Sequence, residues 1–308
     1  MSLLVLGTVA FDTIETPFGK ADRIIGGAGT YVAWAASHFY NHIQLVSVVG
    51  DDFPKAELDA LEQRGVKLEG LEIRKGEKSF FWAGRYHNNM NSRDTLATEL
   101  NVLENYAPVL PENAKNVDYL MLGNFAPAVQ KSVLNQLEKR PKLVAMDTMN
   151  FWMDIAMDEL KSVISDVDIL TINDEEARQL SGEYSLVKAA EVILQMGPTH
   201  LIIKKGEHGA LLFHQEGMFF VPALPLELVY DPTGAGDTFA GGFIGYLAKT
   251  DDFSFENMKR ALVYGSVVAS YCVEAFGPKN LQSITAKDIQ SRTNEFLKLM
   301  NIDMAQQA

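Results

Sequence analysis

Cysteine occurs once in this sequence, at position 272, so no disulfide can form within the chain. That excludes a disulfide-stapled secreted scaffold and fits a reducing compartment. Positive charge is scarce as well: 27 Lys and Arg stand against 40 Asp and Glu, a formal net charge of −13. So acidic a surface repels nucleic-acid backbones and anionic lipid, and neither is expected as a partner. Long apolar runs are missing. Leu3 to Val9 is too short for a signal-peptide core with its flanks, and no stretch approaches the ~20 residues that span a bilayer. The histidines show no metal-ligand spacing, so zinc is not expected. No G-x-x-x-x-G-K-[ST] run occurs, which excludes a Walker-type phosphate loop. The expectation is a soluble, cytoplasmic protein.

What is present fits one large α/β domain over 1–308. Hydrophobic residues make up 47% of the chain and charged residues 22%, enough to bury a sizeable core. Short β-rich runs alternate with helical patterns. Strands are expected at Leu3–Leu6, Ile43–Val49, Tyr119–Leu122, Leu143–Met146, Ile169–Ile172 and Leu201–Ile203. Helices are expected at Gly29–His38, Lys55–Arg64 and Ala128–Leu137, and again around Met258 to Cys272. This alternation argues for a mostly parallel sheet with helices on both faces. Ser79 to Leu100 breaks the rhythm and reads as strand and loop. There Phe80, Trp82 and Tyr86 share one face, with Phe81 and Arg85 on the other. With a second extended piece at Thr13–Ile25, it suggests a small β appendage. The tail from Met304 to Ala308 is expected to be loose.

The run Asp231-Pro-Thr-Gly-Ala-Gly-Asp-Thr-Phe-Ala-Gly-Gly-Phe243 carries the most chemistry. Phe239, Phe243 and Leu247 step by four, so a helix begins near Gly234, Ala235 and Gly236. A helix N-terminus offers unpaired N–H groups and a positive dipole end, and glycines let an anion approach them closely. This turn can hold charge developing on a transferring phosphoryl group. Asp237, beside it, can accept the proton of an attacking hydroxyl. A plain tight turn with Asp237 as a helix cap is the alternative, and it leaves the rest of the run unexplained.

This run resembles the C-terminal signature of the ribokinase family, the phosphofructokinase-B-type carbohydrate kinases, with Pro232 where Thr is usual. Weaker matches follow in the family's order. Gly26-Gly27-Ala28-Gly29 resembles the N-terminal di-glycine signature, with Asp12 upstream where a substrate-binding Asp lies. Asn173-Asp-Glu-Glu176 resembles the N-x-x-E motif, and Lys205-Gly206-Glu-His-Gly209 the loop beside the nucleotide. The resemblance implies a ribokinase-like three-layer fold with a small β-sheet lid, its segments near 13–25 and 79–100. It implies ATP and Mg²⁺, Glu176 acting on the metal through water, and K⁺ held by backbone carbonyls beside the signature. Phe276-Gly277 would border the adenine or that cation. Asp12, Gly26, Gly27 and Gly29 would hold a small sugar, and lid sheets would pair in a homodimer. Asn173 and Glu176 also fit a helix capping box, and the two roles are compatible.

Several assignments stay open at this level. Tyr31 stands where the family often has Asn, which argues against plain ribose. Phe80, Trp82 and Tyr86 read either as the core of a small sheet or as a stacking surface for a base. The expected reaction is therefore phosphorylation of a hydroxymethyl group on a small sugar, with a nucleoside as the alternative acceptor and a non-catalytic sensor as a distant one. Asp147 and Asn150, Gly123 and Asn124, Lys204, Arg93 and Asp94 are secondary candidates. A dinucleotide oxidoreductase is disfavoured, because Val32 breaks G-x-G-x-x-G and the glycines show no strand immediately before them.

Overall fold

The computed structural model describes residues 1–301; the tail from Met304 to Ala308 lies outside the described residues. Strand β1 (Leu3–Leu6) is buried at every position, and its side chains alternate into two separate cores. Leu3 and Val5 join one apolar cluster, Leu4 and Leu6 the other. A strand buried on both faces belongs inside a sheet covered on both sides.

The elements that follow are β2 (Ala10–Thr16), β3 (Gly19–Gly26), α1 (Ala28–Ala36), β4 (Ile43–Gly50), α2 (Lys55–Gln63), β5 (Val66–Arg74), β6 (Phe80–Tyr86), β7 (Arg93–Glu99), β8 (Tyr119–Leu122), α3 (Pro127–Gln136), β9 (Leu143–Asp147), α4 (Asn150–Ile155), α5 (Met157–Ile164), β10 (Ile169–Asn173), α6 (Asp174–Ser181), α7 (Leu186–Leu194), β11 (His200–Lys204), β12 (Ala210–His214), β13 (Gly217–Val221), α8 (Ala235–Thr250), α9 (Phe255–Cys272), α10 (Lys279–Ser283) and α11 (Ala286–Met300). Nine strands form one sheet in the order β13-β12-β11-β10-β9-β8-β1-β4-β5. The seven from β11 to β5 run parallel; β12 and β13 close one edge antiparallel. Apolar residues of α1, α2 and α8 to α11 cover one face, and those of α3 to α7 the other. This is the three-layer α/β architecture that the resemblance implies.

A second sheet has the order β3-β2-β6-β7. The chain enters it twice, between β1 and α1 and again between β5 and β8. In the β2–β6 pair Asp12 lies opposite Trp82, so the two side chains point to the same face. Phe80, Trp82 and Tyr86 share that face, as the alternation predicts.

One sequence expectation is corrected. The glycines at 26 to 29 do follow a strand directly, since β3 ends at Gly26. That strand belongs to the small sheet rather than to the parallel one, so it is no dinucleotide-type strand-turn-helix.

Candidate active site

Parallel strands direct their C-terminal ends, and the loops after them, to one side of the sheet. The polar residues singled out in the sequence gather there. Asp147 ends β9, Asn173 ends β10 and Lys204 ends β11. Gly123 and Asn124 follow β8, and Asn150 opens α4.

The signature run forms a tight turn feeding α8. Gly234 is the N-cap with φ 75°, a left-handed conformation that favours glycine. A Cβ there would also lie 2.5 Å from the ring of Tyr31. Tyr31 is fully buried beneath this turn, and its hydroxyl has no hydrogen-bond partner in the protein. Asp237 lies in the first turn of α8, beside Gly236. Burial pushes its carboxyl up to about 6, and Asp147 adds to the shift while Lys204 and Arg93 oppose it.

The lid brings Asp12 to the same place. A Cβ on Gly26 would fall 1.9 Å from Asp12 Oδ2, so only glycine leaves room for that carboxylate. Gly27, with φ 92°, has its backbone N–H close enough to Asp12 to oppose the rise of its pKa, and Gly29 packs backbone to backbone on Gly7. Asp12 is 4% exposed. Burial first, then the charges of Asp231 and Asp237, push it up to about 8. Tyr86, from the same lid face, accepts a hydrogen bond at its hydroxyl from Thr233 Oγ1 at 3.2 Å. Arg93 is close enough to lower the pKa of both Asp237 and Glu176, and its guanidinium lies 5.7 Å from the Trp82 ring centre.

Asn173 and Glu176 form the expected capping box on α6: Glu176 N–H donates to Asn173 Oδ1 at 2.8 Å, and Asn173 N–H to Glu176 Oε2 at 2.7 Å. Glu176 is also buried, and burial pushes it up to about 7, with Lys204 pulling against that shift. Capping thus holds a desolvated carboxylate at the site.

The turn Lys205–Gly209 closes through main-chain bonds: Lys205 N–H donates to Gly209 O at 2.7 Å and Gly209 N–H to Gly206 O at 3.2 Å. It is Lys204 that sends its ammonium inward, 2.5 Å from Asp147 Oδ2. The apolar strand Leu201–Ile203 offers no alternation that would separate the two lysines. The turn after β6 reaches this loop, and a Cβ on Gly206 would meet Asn91 Oδ1 at 2.5 Å. Gly277 donates its N–H to Asp231 Oδ2 at 3.2 Å, and Phe276 packs against Gly19 at the tip of the β2–β3 hairpin. Phe276 is therefore a lid contact, and Gly277 is the residue tied to the signature. Residues 10–285 match the model of the pfkB family carbohydrate kinases.

The chain belongs to that family. Among its relatives, the cytidine kinase of Thermococcus kodakarensis is 32% identical over 253 residues, covering 80% of this chain and 88% of the relative. The ribokinase of Haemophilus influenzae is 25% identical over 299 residues, covering 91% and 94%. The crystal structure of aminoimidazole riboside kinase from Salmonella enterica, complexed with aminoimidazole riboside and an ATP analogue, aligns with a TM-score of 0.72 at 21% identity, covering 95% of this chain and all of that one. This pfkB family member is an ATP-dependent phosphotransferase, a sugar or nucleoside kinase. Among the described residues, no helix is long and apolar enough to cross a membrane.

Proposed function

We propose that the acceptor is a nucleoside and that the γ-phosphate of ATP passes to its ribose hydroxymethyl oxygen. The observation that carries the choice of acceptor is the pairing of Asp12 with Trp82 on one face of the lid. A carboxylate beside an indole suits a ligand with vicinal hydroxyls at one end and a flat ring at the other. Phe80 extends the same face. The cytidine kinase relative supports this reading.

In the chemistry that follows, Asp237 takes the hydroxymethyl proton as the oxygen attacks the γ-phosphorus, and ADP leaves. The N–H groups at the start of α8, around Gly234, Ala235 and Gly236, stabilise charge on the phosphoryl oxygens. Asp12 accepts from two ribose hydroxyls over Gly26 and Gly27. The lid excludes water, so ATP is spared hydrolysis. Asp147, Glu176 and Asp237 outnumber the one buried cation among them, Lys204, and this imbalance fits a divalent cation. Glu176 would hold Mg²⁺ through water, and the metal would neutralise charge on the phosphate tail. K⁺ would lie between the loops that Asp231 joins, where its two carboxylate oxygens accept the backbone N–H groups of Thr233 and Gly277. A homodimer through the lid belongs to the same proposal, with sedimentation velocity as its check.

ADP release, with ATP and Mg²⁺ present, should be measured for cytidine, adenosine, inosine, ribose and fructose. At least one nucleoside should exceed ribose in kcat/KM by tenfold or more. Stacking on an aromatic ring contributes about 1–3 kcal/mol per base. Trp82→Ala should therefore raise the KM for the nucleoside about tenfold or more and leave that for ribose nearly unchanged. A preference for ribose that ignores Trp82→Ala would overturn the acceptor assignment.

A further inference from the structure

Lys204 has no part in the chemistry above, yet it stands at its centre. Its side chain is 17% exposed, and its Nζ lies 2.5 Å from Asp147 Oδ2. A Cβ on Gly236 would come within 3.3 Å of the same Nζ, so the ammonium lies against the first turn of α8. Asp147 from β9, Glu176 from α6 and Asp237 from α8 all act on it. Burial disfavours the ammonium, but these carboxylates outweigh it and raise the pKa above the ordinary lysine value. A buried ion pair contributes little net stability to a fold, because desolvation offsets the attraction. The position is better explained by what must arrive there. A triphosphate brought to the start of α8 meets carboxylates on three sides, and repulsion would keep it out unless a cation moves with it.

We propose that Lys204 is the cation that receives the γ-phosphate: paired with Asp147 in this structure, it turns its ammonium to the γ-phosphate oxygens above Gly236 when ATP enters. The inference rests on the kinase reading but not on the identity of the acceptor. Asp147 holds one oxygen on the Thr148 N–H at 2.8 Å, so it stays in place when the lysine leaves. The freed oxygen then faces the region where Glu176 would hold a hydrated Mg²⁺. Lys204 neither gives nor takes a proton. It follows the phosphoryl group through transfer, while the proton of the acceptor goes to Asp237.

The test is calorimetric binding of a non-hydrolysable ATP analogue and of ADP, each with Mg²⁺, to wild type, Lys204→Met and the double variant Lys204→Met/Asp147→Asn. Lys204→Met should bind the analogue at least tenfold more weakly and ADP within about twofold of wild type. Its kcat should fall about a hundredfold, with little change in the KM of the acceptor. The double variant should stay equally impaired. If Lys204 only balances the charge of Asp147, the double variant recovers analogue binding and activity, and the proposal fails. Equal losses for ADP and analogue would also overturn it. If Lys204→Met does not fold, the double variant, with no unpaired charge in the pair, supplies the comparison. Wild type that binds neither nucleotide would sink the kinase reading itself, a separate outcome.

Discussion

Asp237→Asn should lower kcat about a thousandfold while the protein folds and still binds ATP and acceptor. The substitution keeps shape and removes the base, and a positioned general base contributes roughly a factor of 10²–10⁴. The N–H groups of the α8 turn remain, so a residual rate above background is expected. The pH profile gives a second check. Burial and Asp147 place the Asp237 carboxyl at about 6 in the free enzyme. The base works only when ionised, so kcat/KM of wild type should fall tenfold per unit below about pH 6. In Asp237→Asn that limb should disappear. A variant with near-normal turnover, or with the acid limb intact, would remove Asp237 from its role.

Asp12→Asn should raise the KM of the acceptor about a hundredfold and, at high pH, stabilise the fold measured without added ligand. Asp12 lies at about 8 in the folded chain, far above the ~3.9 of an exposed Asp. The folded state therefore holds a proton that the unfolded state has released. Stability falls as pH rises from about 4 to 8, and the loss is complete above about 8. Asn has no such cost. The melting temperature of the variant should thus overtake that of wild type as pH rises and level off near pH 8.5. The rise from 3.8 to about 8 sets an upper bound of roughly 5–6 kcal/mol on that gain, or about 8 °C for a chain of this size. Calorimetry from pH 5 to 9 decides the matter. Parallel curves would mean that Asp12 is ionised throughout in the empty site. The ionised form is also the better acceptor of two hydroxyls, so affinity for the phosphoryl acceptor in wild type should rise with pH over the same range.

The readable parts of this protein were those built from neighbouring residues. Gly234, Gly236 and Asp237 need only one turn and the start of one helix, and they stand together in sequence as in space. The Asn173–Glu176 capping box is likewise local. β1, β4 and β8 to β11 are short apolar runs, which buried parallel strands must be. β5 was not anticipated, because Lys67, Glu69, Glu72 and Arg74 interrupt it and it lies at the sheet edge, half exposed. The β12–β13 hairpin was missed too, with Gln215 and Glu216 at its turn instead of the glycine-rich pair that marks such turns. At the site, Lys204 and Arg93 stand only among the secondary candidates of the sequence, because they reach the centre through β11 and the lid, which local sequence does not show. The aromatic alternation of β6 was visible, but which face covers the site depends on the Asp12–Trp82 register.

The lid is stitched into the sheet rather than appended to it. At the first crossing a Cβ on Gly7 would lie 2.5 Å from Gly29, and one on Gly27 would lie 2.4 Å from Thr8 O. At another, a Cβ on Gly50 would lie 2.2 Å from Glu77 O, while Asp52 Oδ1 accepts from both the N–H and the hydroxyl of Ser79. Seams of backbone against backbone leave no slack for a swinging door. Any opening must be spread as a slight twist along β2 and β6 themselves. Such a lid cannot be excised or transplanted as a module, and its acceptor preference can change only one inner side chain at a time, with the frame left as it is.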